Sequence, residues 1–446
     1  MNRSSYSSTL GRVSLLVLTL CLIATILIFS RAGHQTKVLA QTTLGSPLPG
    51  LTTGQMALFT VGFKQFNVHW DPDHGLGPIY TNQDCSNCHT SPASGGTNST
   101  MRTMFFGALN SDGSFNPLTS EGGFVLQPQT IQHLVRVPKG CLVVPEIVPQ
   151  DATLMSQRVP PQLFGFGLID SIADSTIENF AGDKGMGVNG TYNLVADWNG
   201  AMRPGRFGTK AQFASLAQAV GTAFQRDIGV TNPVSEAEDC PNSSPAPVGG
   251  QCPTNLVSMQ CVKAREPNDP PPLGKETIQI TDYPALLAPN TPSTDTQGLA
   301  LFISTGCSLC HNPQYTTMAN ATLLTDFAGH TTLPVNALSN QPVNLYSDLL
   351  LHHLGPALAD CMEFGQAQGD QWRTTPLWGL STRTVYLHDG RTTDLTTAIQ
   401  MHQSFAGPAP ACGITYQDSE ANTVIDNFNA LSPMDMTTLM DFLATL

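Results

Sequence analysis

Two five-residue motifs constrain this chain more than any other feature of its 446 residues. They are Cys85-Ser86-Asn87-Cys88-His89 and Cys307-Ser308-Leu309-Cys310-His311. Each reads C-x-x-C-H, the pattern that attaches a c-type haem through two cysteines and supplies the next histidine as an iron ligand. A zinc site of two Cys and two His side chains is the alternative, but it requires two segments more than two hundred residues apart to meet. The motifs therefore predict two covalently bound haem c groups, with His89 and His311 as iron ligands.

Residues 1–40 have the composition of an export signal. Arg3 and Arg12 flank a polar start, residues 13–30 are almost wholly apolar, and residues 38–40 offer small side chains for cleavage. The apolar stretch is also long enough to serve as an uncleaved membrane anchor, and the sequence leaves that alternative open. We expect a periplasmic or otherwise extracytoplasmic protein in both cases, in agreement with haem c, which is attached outside the cytoplasm.

The net charge limits the kinds of partner. Residues 1–40 carry four basic and no acidic groups, so their removal takes the formal charge from −13 to about −17. Nucleic acid is excluded as a partner of so acidic a protein. A small redox protein is compatible with this charge as a partner. The charge is equally compatible with a protein that is simply soluble.

Six further cysteines remain once the motifs and Cys21 of the leader are set aside. They are Cys141, Cys240, Cys252, Cys261, Cys361 and Cys412. An even number outside the cytoplasm predicts up to three disulfides. Cys361 with Cys412 is the preferred pair because both follow the second motif, and the other pairings stay open.

The expected fold is mainly α, with two cytochrome-c-like domains that each carry one haem. The predicted divisions are a leader at 1–40, a first haem domain at 41–231, a Pro- and Cys-rich connection at 232–292, and a second haem domain at 293–446. Long loops are expected because the chain contains 39 Gly and 33 Pro. Apolar content and hydrophobic periodicity predict helices at 54–66, 164–180, 212–226, 295–304 and 344–354. The capping residue Ser432, followed by Pro433, predicts another helix that begins there. Short strands are predicted only within residues 110–160.

Several longer segments resemble one family of haem proteins. They are Trp372–Leu380, Tyr386–Arg391, Arg158–Gly165, Gly205–Gly208 and Tyr346–His352. Together with the two motifs they resemble the bacterial di-haem cytochrome c peroxidases, and more closely the related di-haem oxidoreductases, also called thiol oxidoreductases. The resemblance runs from about residue 75 to the C-terminus and is more specific in the second half.

The resemblance implies ligands for the second haem. In the peroxidases, a methionine twelve residues after the glycine of a His-Asp-Gly turn ligates that haem. The same count from Gly390 falls on His402, with Met401 one position earlier. We therefore expect His402 as the sixth ligand of the His311 haem, with Met401 as the alternative. Arg373 and Arg391 are expected to bind haem propionates, since a guanidinium matches a carboxylate.

The resemblance implies less about the first haem. The peroxidases place a glutamine and an acid over its open face, and Gln218 and Asp227 are the corresponding catalytic candidates. The iron of this haem is expected to be five-coordinate, or to be ligated by His74, Met101 or Met104. Whether calcium binds, as it does in the peroxidases, is left open.

The function expected from these residues is that of an exported di-haem c-type oxidoreductase similar to cytochrome c peroxidase. One haem would react with a small oxidant such as peroxide, or with a protein substrate, and the other would relay electrons from a small redox protein. The alternative is a periplasmic di-haem cytochrome that only transfers electrons. A membrane contact is expected only through an N-terminal anchor.

Overall fold

Short helices and short strands alternate along the chain, and neither dominates. The computed structural model describes residues 43–446 except 124, 135–136, 243–251 and 262–273. Helices make up 29% of the structure and strands 19%, the latter in many small sheets. The expectation of a mainly α protein built from cytochrome-c-like domains is therefore wrong. The Gly- and Pro-rich composition explains the short elements, because both residues interrupt helices and strands.

The elements have the following bounds. The α-helices are α1 Thr53–Phe66, α2 Cys85–Cys88, α3 Phe166–Asp170, α4 Asp174–Phe180, α5 Leu216–Ile228, α6 Lys275–Leu286, α7 Thr296–Thr305, α8 Leu395–Gln400, α9 Asn422–Asn429 and α10 Pro433–Leu443. Short 3₁₀ helices cover Pro72–His74, Thr119–Glu121, Ile131–His133, Cys307–Leu309, Asn336–Leu338 and Leu380–Thr382. The strands are β1 Ile79–Tyr80, β2 Thr103–Leu109, β3 Phe115–Asn116, β4 Gln129–Thr130, β5 Leu154–Arg158, β6 Gly182–Gly185, β7 Val188–Gly190, β8 Leu194–Ala196, β9 Met202–Pro204, β10 Tyr315–Thr316, β11 Thr322–Asp326, β12 Thr331–Pro334, β13 Pro342–Val343, β14 Leu351–His353, β15 Gln371–Arg373, β16 Gly407–Pro408 and β17 Thr415–Tyr416.

The helices with clear capping residues begin where the sequence predicts. Thr52 and Gln55 form a capping box at the start of α1. Asp295 accepts hydrogen bonds from two backbone N–H groups in the first turn of α7, and Ser432 accepts one from Asp435 at the start of α10. The predictions of these three helices are confirmed.

Two other helix predictions fail for local reasons. The stretch predicted as one helix at 164–180 is divided into α3 and α4. In the stretch predicted as a helix at 344–354, Tyr346 and Leu349 both take positive φ angles, which an α-helix does not allow. That stretch ends instead in β14, where His352 pairs with Trp372 of β15.

The stretch predicted as a connection contains a helix that builds the core. Helix α6 packs along α1, and the two approach closely at Gly62, where an added Cβ would stand 2.6 Å from the carbonyl oxygen of Gln279. Helix α6 also contacts α5 and α3. Contacts join residues 41–446 into one unit. The domain boundaries near residues 231 and 292 stay predictions.

The largest sheet has three antiparallel strands in the order β3-β2-β5. Thr103 of β2 pairs with Arg158 of β5, so β5 leads directly into the segment Val159–Leu163. None of the helices in the described part of the chain combines the length and the apolar character needed to cross a bilayer. Residues 1–40, for which the sequence predicts a leader or an anchor, lie outside the described residues.

Candidate haem sites

The first C-x-x-C-H motif forms a single helical turn. Helix α2 begins after Asp84, whose carboxylate accepts a hydrogen bond from the backbone N–H of Asn87 at 2.7 Å. This turn places Cys85 and Cys88 on one side, and both cysteines are free. The geometry suits the attachment of one haem through two neighbouring sulfurs.

His89 is oriented by a backbone carbonyl. Its Nδ1 lies 2.8 Å from the carbonyl oxygen of Pro161. A carbonyl can only accept a hydrogen bond, so Nδ1 carries the proton and Nε2 keeps its lone pair. Phe66 packs beside the imidazole with ring centroids 6.1 Å apart. His89 is therefore prepared to ligate a metal through Nε2.

The second motif repeats this arrangement. Gly306, with a φ of 102°, ends α7 and turns the chain into Cys307. The Nδ1 of His311 lies 2.9 Å from the carbonyl oxygen of Tyr346, and Phe302 packs 6.5 Å from the imidazole. Each motif histidine thus has one aromatic neighbour and one backbone carbonyl partner, although the carbonyls come from unrelated segments of the chain.

His402 is oriented by a backbone carbonyl, as the two motif histidines are. It follows α8, and its Nδ1 lies 2.9 Å from the carbonyl oxygen of Ala398. Nε2 is again the nitrogen with the free lone pair. The charge of His402 contributes to a lowered pKa at His311, so the two imidazoles lie near each other. The described contacts of Met401 are those of its backbone N–H, which donates to Thr397 at the end of α8.

The three oriented histidines are surrounded by protein on several sides. His89, His311 and His402 are all half-buried, yet enough protein surrounds them for burial to lower their pKa values. The indole N–H of Trp70, beside Phe224 at 4.8 Å, is buried without a hydrogen-bond partner among the described residues. The free cysteines and the oriented imidazoles fit a haem at each motif, and the unpaired donor of Trp70, which packs in the same cluster as Cys85, fits one at the first.

The remaining cysteines are oxidised. The disulfides join Cys141 to Cys261, Cys240 to Cys252 and Cys361 to Cys412. The predicted pair Cys361–Cys412 is confirmed. Among the described residues, only the four motif cysteines are free, as haem attachment requires.

The three arginines near the second motif have different environments. Arg391 is exposed, and its guanidinium pairs with Asp389 at 2.7 Å. Arg373 is buried and donates to the carbonyl oxygens of Gly208 and Thr374. Burial and the charge of Arg383 lower the pKa of Arg373 to about 10. The structure therefore places Arg373 beside Arg383 and gives Arg391 a partner of its own.

The catalytic candidates lie at opposite ends of α5. Gln218 accepts from the backbone N–H of Ala214 and donates to the carbonyl oxygen of Ala196, so its amide is held by backbone groups. Asp227 stands about 13 Å further along the axis and on the opposite face. Burial raises the pKa of Asp227 to about 6. The structure does not bring the two side chains together.

Asp227 is the candidate that lies near the first motif. Burial raises the pKa of Cys88 to about 12, and the charge of Asp227 is the next contribution. Burial also raises the pKa of Cys85, and the same carboxylate is again the next contribution. Among the proposed ligands of the first haem, His74 is paired with Asp71 at 2.7 Å, with 66% of its side chain exposed. Met101 and Met104 are half-buried.

At the second site, His352 and Asp348 belong to a segment that carries the family resemblance, whereas their partners Lys184 and Glu420 are missing from the sequence prediction. His352 places one ring nitrogen 2.9 Å from Asp348 and the other 2.7 Å from Glu420, so both nitrogens donate to carboxylates. Lys184 also pairs with Asp348. Glu420 and Lys184 are distant in sequence from both motifs, and no local pattern indicates their role.

No cluster suited to a bare metal ion is present in the part of the chain that the structure describes, where no three His, Cys, Asp or Glu side chains are so arranged. Calcium binding stays a prediction.

Comparison with known proteins gives the family. The family model described as "Di-haem oxidoreductase, putative peroxidase" matches residues 142–410, more than half of the chain. The chain belongs to this di-haem oxidoreductase family. The match includes Cys307, Cys310 and His311, whereas Cys85–His89 precedes it.

Individual proteins match this chain less completely than the family model does. The chain is 29% identical over 120 residues to "Methylamine utilization protein MauG" of Paracoccus denitrificans (strain Pd 1222), a match that covers 26% of this chain. The chain thus spans about 30% of the length of this curated relative. The solved structures include hydrazine synthase of Kuenenia stuttgartiensis, with 12% identity, a TM-score of 0.30, and coverage of 93% of this chain and 97% of that one. Another is a MauG-like protein associated with microbial copper homeostasis, with 15% identity, a TM-score of 0.27, and coverage of 70% and 94%. Scores this low carry no argument about the site.

Proposed function

We propose that this member of the family is an exported oxidoreductase that carries two covalent haem c groups. The observation that carries the proposal is the division of the cysteines: four are free in two C-x-x-C-H motifs, and six form disulfides. Disulfides persist outside the cytoplasm, where haem c is also attached. The N-terminal composition supports export by a cleaved signal or an anchor.

The proposed ligand set follows from the imidazole orientations. His89 and His311 would each hold one iron through Nε2, because Nδ1 of each is committed to a carbonyl. His402 is the proposed second axial ligand of the His311 haem, with its Nδ1 anchored on Ala398. Two imidazole ligands exclude small molecules from an iron. This centre is therefore suited to electron relay.

The proposed reaction centre is the His89 haem. A bound haem supplies one-electron chemistry, and it supplies a binding position for peroxide wherever one axial site is open. Asp227 lies on the side of α5 near Cys85 and Cys88, and we propose that its carboxylate accepts and returns protons there. Gln218 takes a structural role in this proposal because its amide is already bonded at both ends.

The proposed partners are a small oxidant such as peroxide and a small redox protein that supplies electrons. The acidic surface, with a formal charge of about −17 without the leader, favours a donor with a basic face. A protein substrate in place of peroxide is compatible with the same site.

Two measurements on the purified protein test the proposal. The intact mass should exceed that of the processed chain by two haems that resist acid-acetone extraction. The oxidised protein should then show one high-spin and one low-spin iron. One haem, or an extractable haem, would overturn the two-haem proposal. Two low-spin irons that peroxide does not affect would make the protein an electron carrier instead of an enzyme.

A further inference from the structure

A pair of arginines at the second site has no matching carboxylate. Arg373 donates through Nη1 to the carbonyl oxygen of Thr374, and Arg383 donates through Nη2 to that of Pro376, two residues further along. The two guanidiniums therefore lie against one short segment, and the charge of Arg383 acts on Arg373. Neither guanidinium has an Asp or Glu at ion-pair distance among the described residues, and Arg373 is 8% exposed. Arg373 is buried and Arg383 half-buried, and two such positive charges in proximity are unfavourable unless an anion compensates them.

Each guanidinium also has donors to spare. Arg373 uses Nε on the Gly208 carbonyl at 2.8 Å and Nη1 on the Thr374 carbonyl at 3.0 Å. Arg383 uses Nε on Gln162 at 3.4 Å and Nη2 on the Pro376 carbonyl at 3.2 Å. Within the described residues, Nη2 of Arg373 and Nη1 of Arg383 therefore have no protein acceptor. A guanidinium fork with free N–H groups is the group that proteins use to bind carboxylates.

The pair lies beside the second motif. Besides Arg383, the charged residue that acts on Arg373 is Asp348. The backbone N–H of Asp348 donates to the carbonyl oxygen of Cys310 at 2.8 Å. The carbonyl oxygen of Arg383 accepts from the hydroxyl of Tyr386 at 3.1 Å. Tyr386 packs in the same hydrophobic cluster as Cys307. The titratable groups that act on the pair are thus Asp348 and Tyr386.

Gln162 holds Arg383 in place from the other half of the chain. Its Oε1 accepts from Arg383, and its Nε2 donates to the Thr382 hydroxyl at 3.0 Å. This approach depends on Gly379, where an added Cβ would stand 2.6 Å from Oε1 of Gln162. Gln162 is buried and directly follows Pro161, the residue that orients His89. We regard it as a positioning residue that links the two sites.

We propose that Arg373 and Arg383 form one carboxylate-binding site, positioned by Gln162, that takes a propionate of the haem attached at Cys307 and Cys310. This inference rests on the proposed function, since it requires that haem. It assigns the propionate contact to Arg383 in place of Arg391. A diffusible carboxylate is the other source of the same chemistry, and the enclosed position favours the propionate.

The test uses the holoprotein, with the haem content of every variant measured first by intact mass. Arg383→Gln should lower the reduction potential of the His311 haem, because a positive charge that disfavours the ferric state is lost. It should also make that potential vary more steeply between pH 5 and 8, since an uncompensated propionate titrates at a higher pH. Arg383→Lys should restore most of the potential. Gln162→Leu should give a shift in the same direction with both arginines retained, which covers the case in which Arg383→Gln does not fold.

Arg391→Gln tests the competing assignment, because the family resemblance implies a propionate contact for this exposed arginine in the same segment. It should leave the pH dependence of the potential at the wild-type slope. A change in the pH dependence larger in Arg391→Gln than in Arg383→Gln would overturn the inference. Potentials unchanged in both Arg383→Gln and Gln162→Leu, with two haems present, would overturn the inference and leave the proposed function standing. Loss of the second haem from the wild-type mass would overturn the proposed function itself. A potential of the wild type that shifts saturably with added acetate would show that the pair binds a diffusible carboxylate, and would overturn the propionate assignment.

Discussion

His402 lies near enough to His311 for one imidazole to act on the charge of the other. Burial is the main cause of the lowered pKa of His311, which falls to about 4, and the charge of His402 contributes in the same direction. Each ring commits Nδ1 to a backbone carbonyl at 2.9 Å. Two neutral imidazoles with available Nε2 atoms are thus held at one site.

The first prediction concerns the ligation of the second haem. His402→Ala should convert the His311 iron from low spin to high spin and leave the other haem unchanged, because one of two axial nitrogens is removed. His402→Met should restore a six-coordinate iron with a higher potential. Electron paramagnetic resonance and visible spectra measure both effects.

Met401→Ala is the control for that experiment and should leave the spectra as they are. A methionine–iron band in the wild type that disappears in Met401→Ala would show that Met401 is the ligand and that His402 is not.

The second prediction concerns proton transfer at the first haem. Asp227→Asn should slow the reoxidation of the reduced protein by peroxide by about 100-fold or more, the usual effect of removing a general acid or base. Gln218→Ala, on the same helix, should change the rate far less because its amide is bonded to backbone groups. Stopped-flow spectroscopy gives both rates. Equal losses in the two variants would contradict a specific role for Asp227.

The third prediction concerns the pH dependence of stability. Burial raises the pKa of Glu146 to about 7, against an unfolded value of about 4.3. Between these two pKa values the Glu146 carboxyl is protonated in the folded state but ionised in the unfolded state. The stability that this group contributes is therefore present below the lower value and is lost as pH rises through about 7. Glu146→Gln should be more stable than the wild type by about 1–3 kcal/mol at pH 8, with a smaller difference at pH 4.5.

Thermal unfolding at the two pH values checks this expectation for Glu146. Glu236→Gln removes the same charge at an exposed position and serves as the comparison. If Glu146→Gln and the wild type differ equally at both pH values, the buried carboxyl does not titrate in this range.

The fourth prediction compares two disulfides. Cys361–Cys412 closes a separation of 51 residues and Cys240–Cys252 one of 12. The entropy of loop closure then predicts that replacing the first pair by alanines lowers the free energy of unfolding by about 4 kcal/mol. The same replacement of the second pair should lower it by about 3 kcal/mol. Denaturant titrations of the two double variants measure the difference. A larger loss from the shorter loop would show that native packing outweighs chain entropy here.

Local signals alone were sufficient for three helices and for the helical turn that brings each pair of motif cysteines together. The motif cysteines fall within one helical turn, so their spacing determines their geometry without help from the rest of the chain. Thr52, Asp295 and Ser432 mark helix starts because a capping side chain acts on N–H groups two or three residues away. Cys361 and Cys412 were also paired correctly from their position in the second half.

Long-range contacts decided the parts of the fold that local signals did not predict. The chain at 344–354 looks helical by periodicity, but pairing of Leu351–His353 with Gln371–Arg373 and the positive φ at Tyr346 and Leu349 override that preference. The expected mainly α fold fails for the same reason, since the many short strand pairs join segments that carry no strong strand pattern of their own.

The sequence by itself determined which residues can attach haem, because covalent attachment and the adjacent ligand need only a five-residue pattern. Only the tertiary structure decided which carbonyls orient His89, His311 and His402, and that Arg383, held by Gln162, accompanies Arg373. These contacts join residues far apart in the chain, and their energy depends on burial and distance, which no local pattern contains.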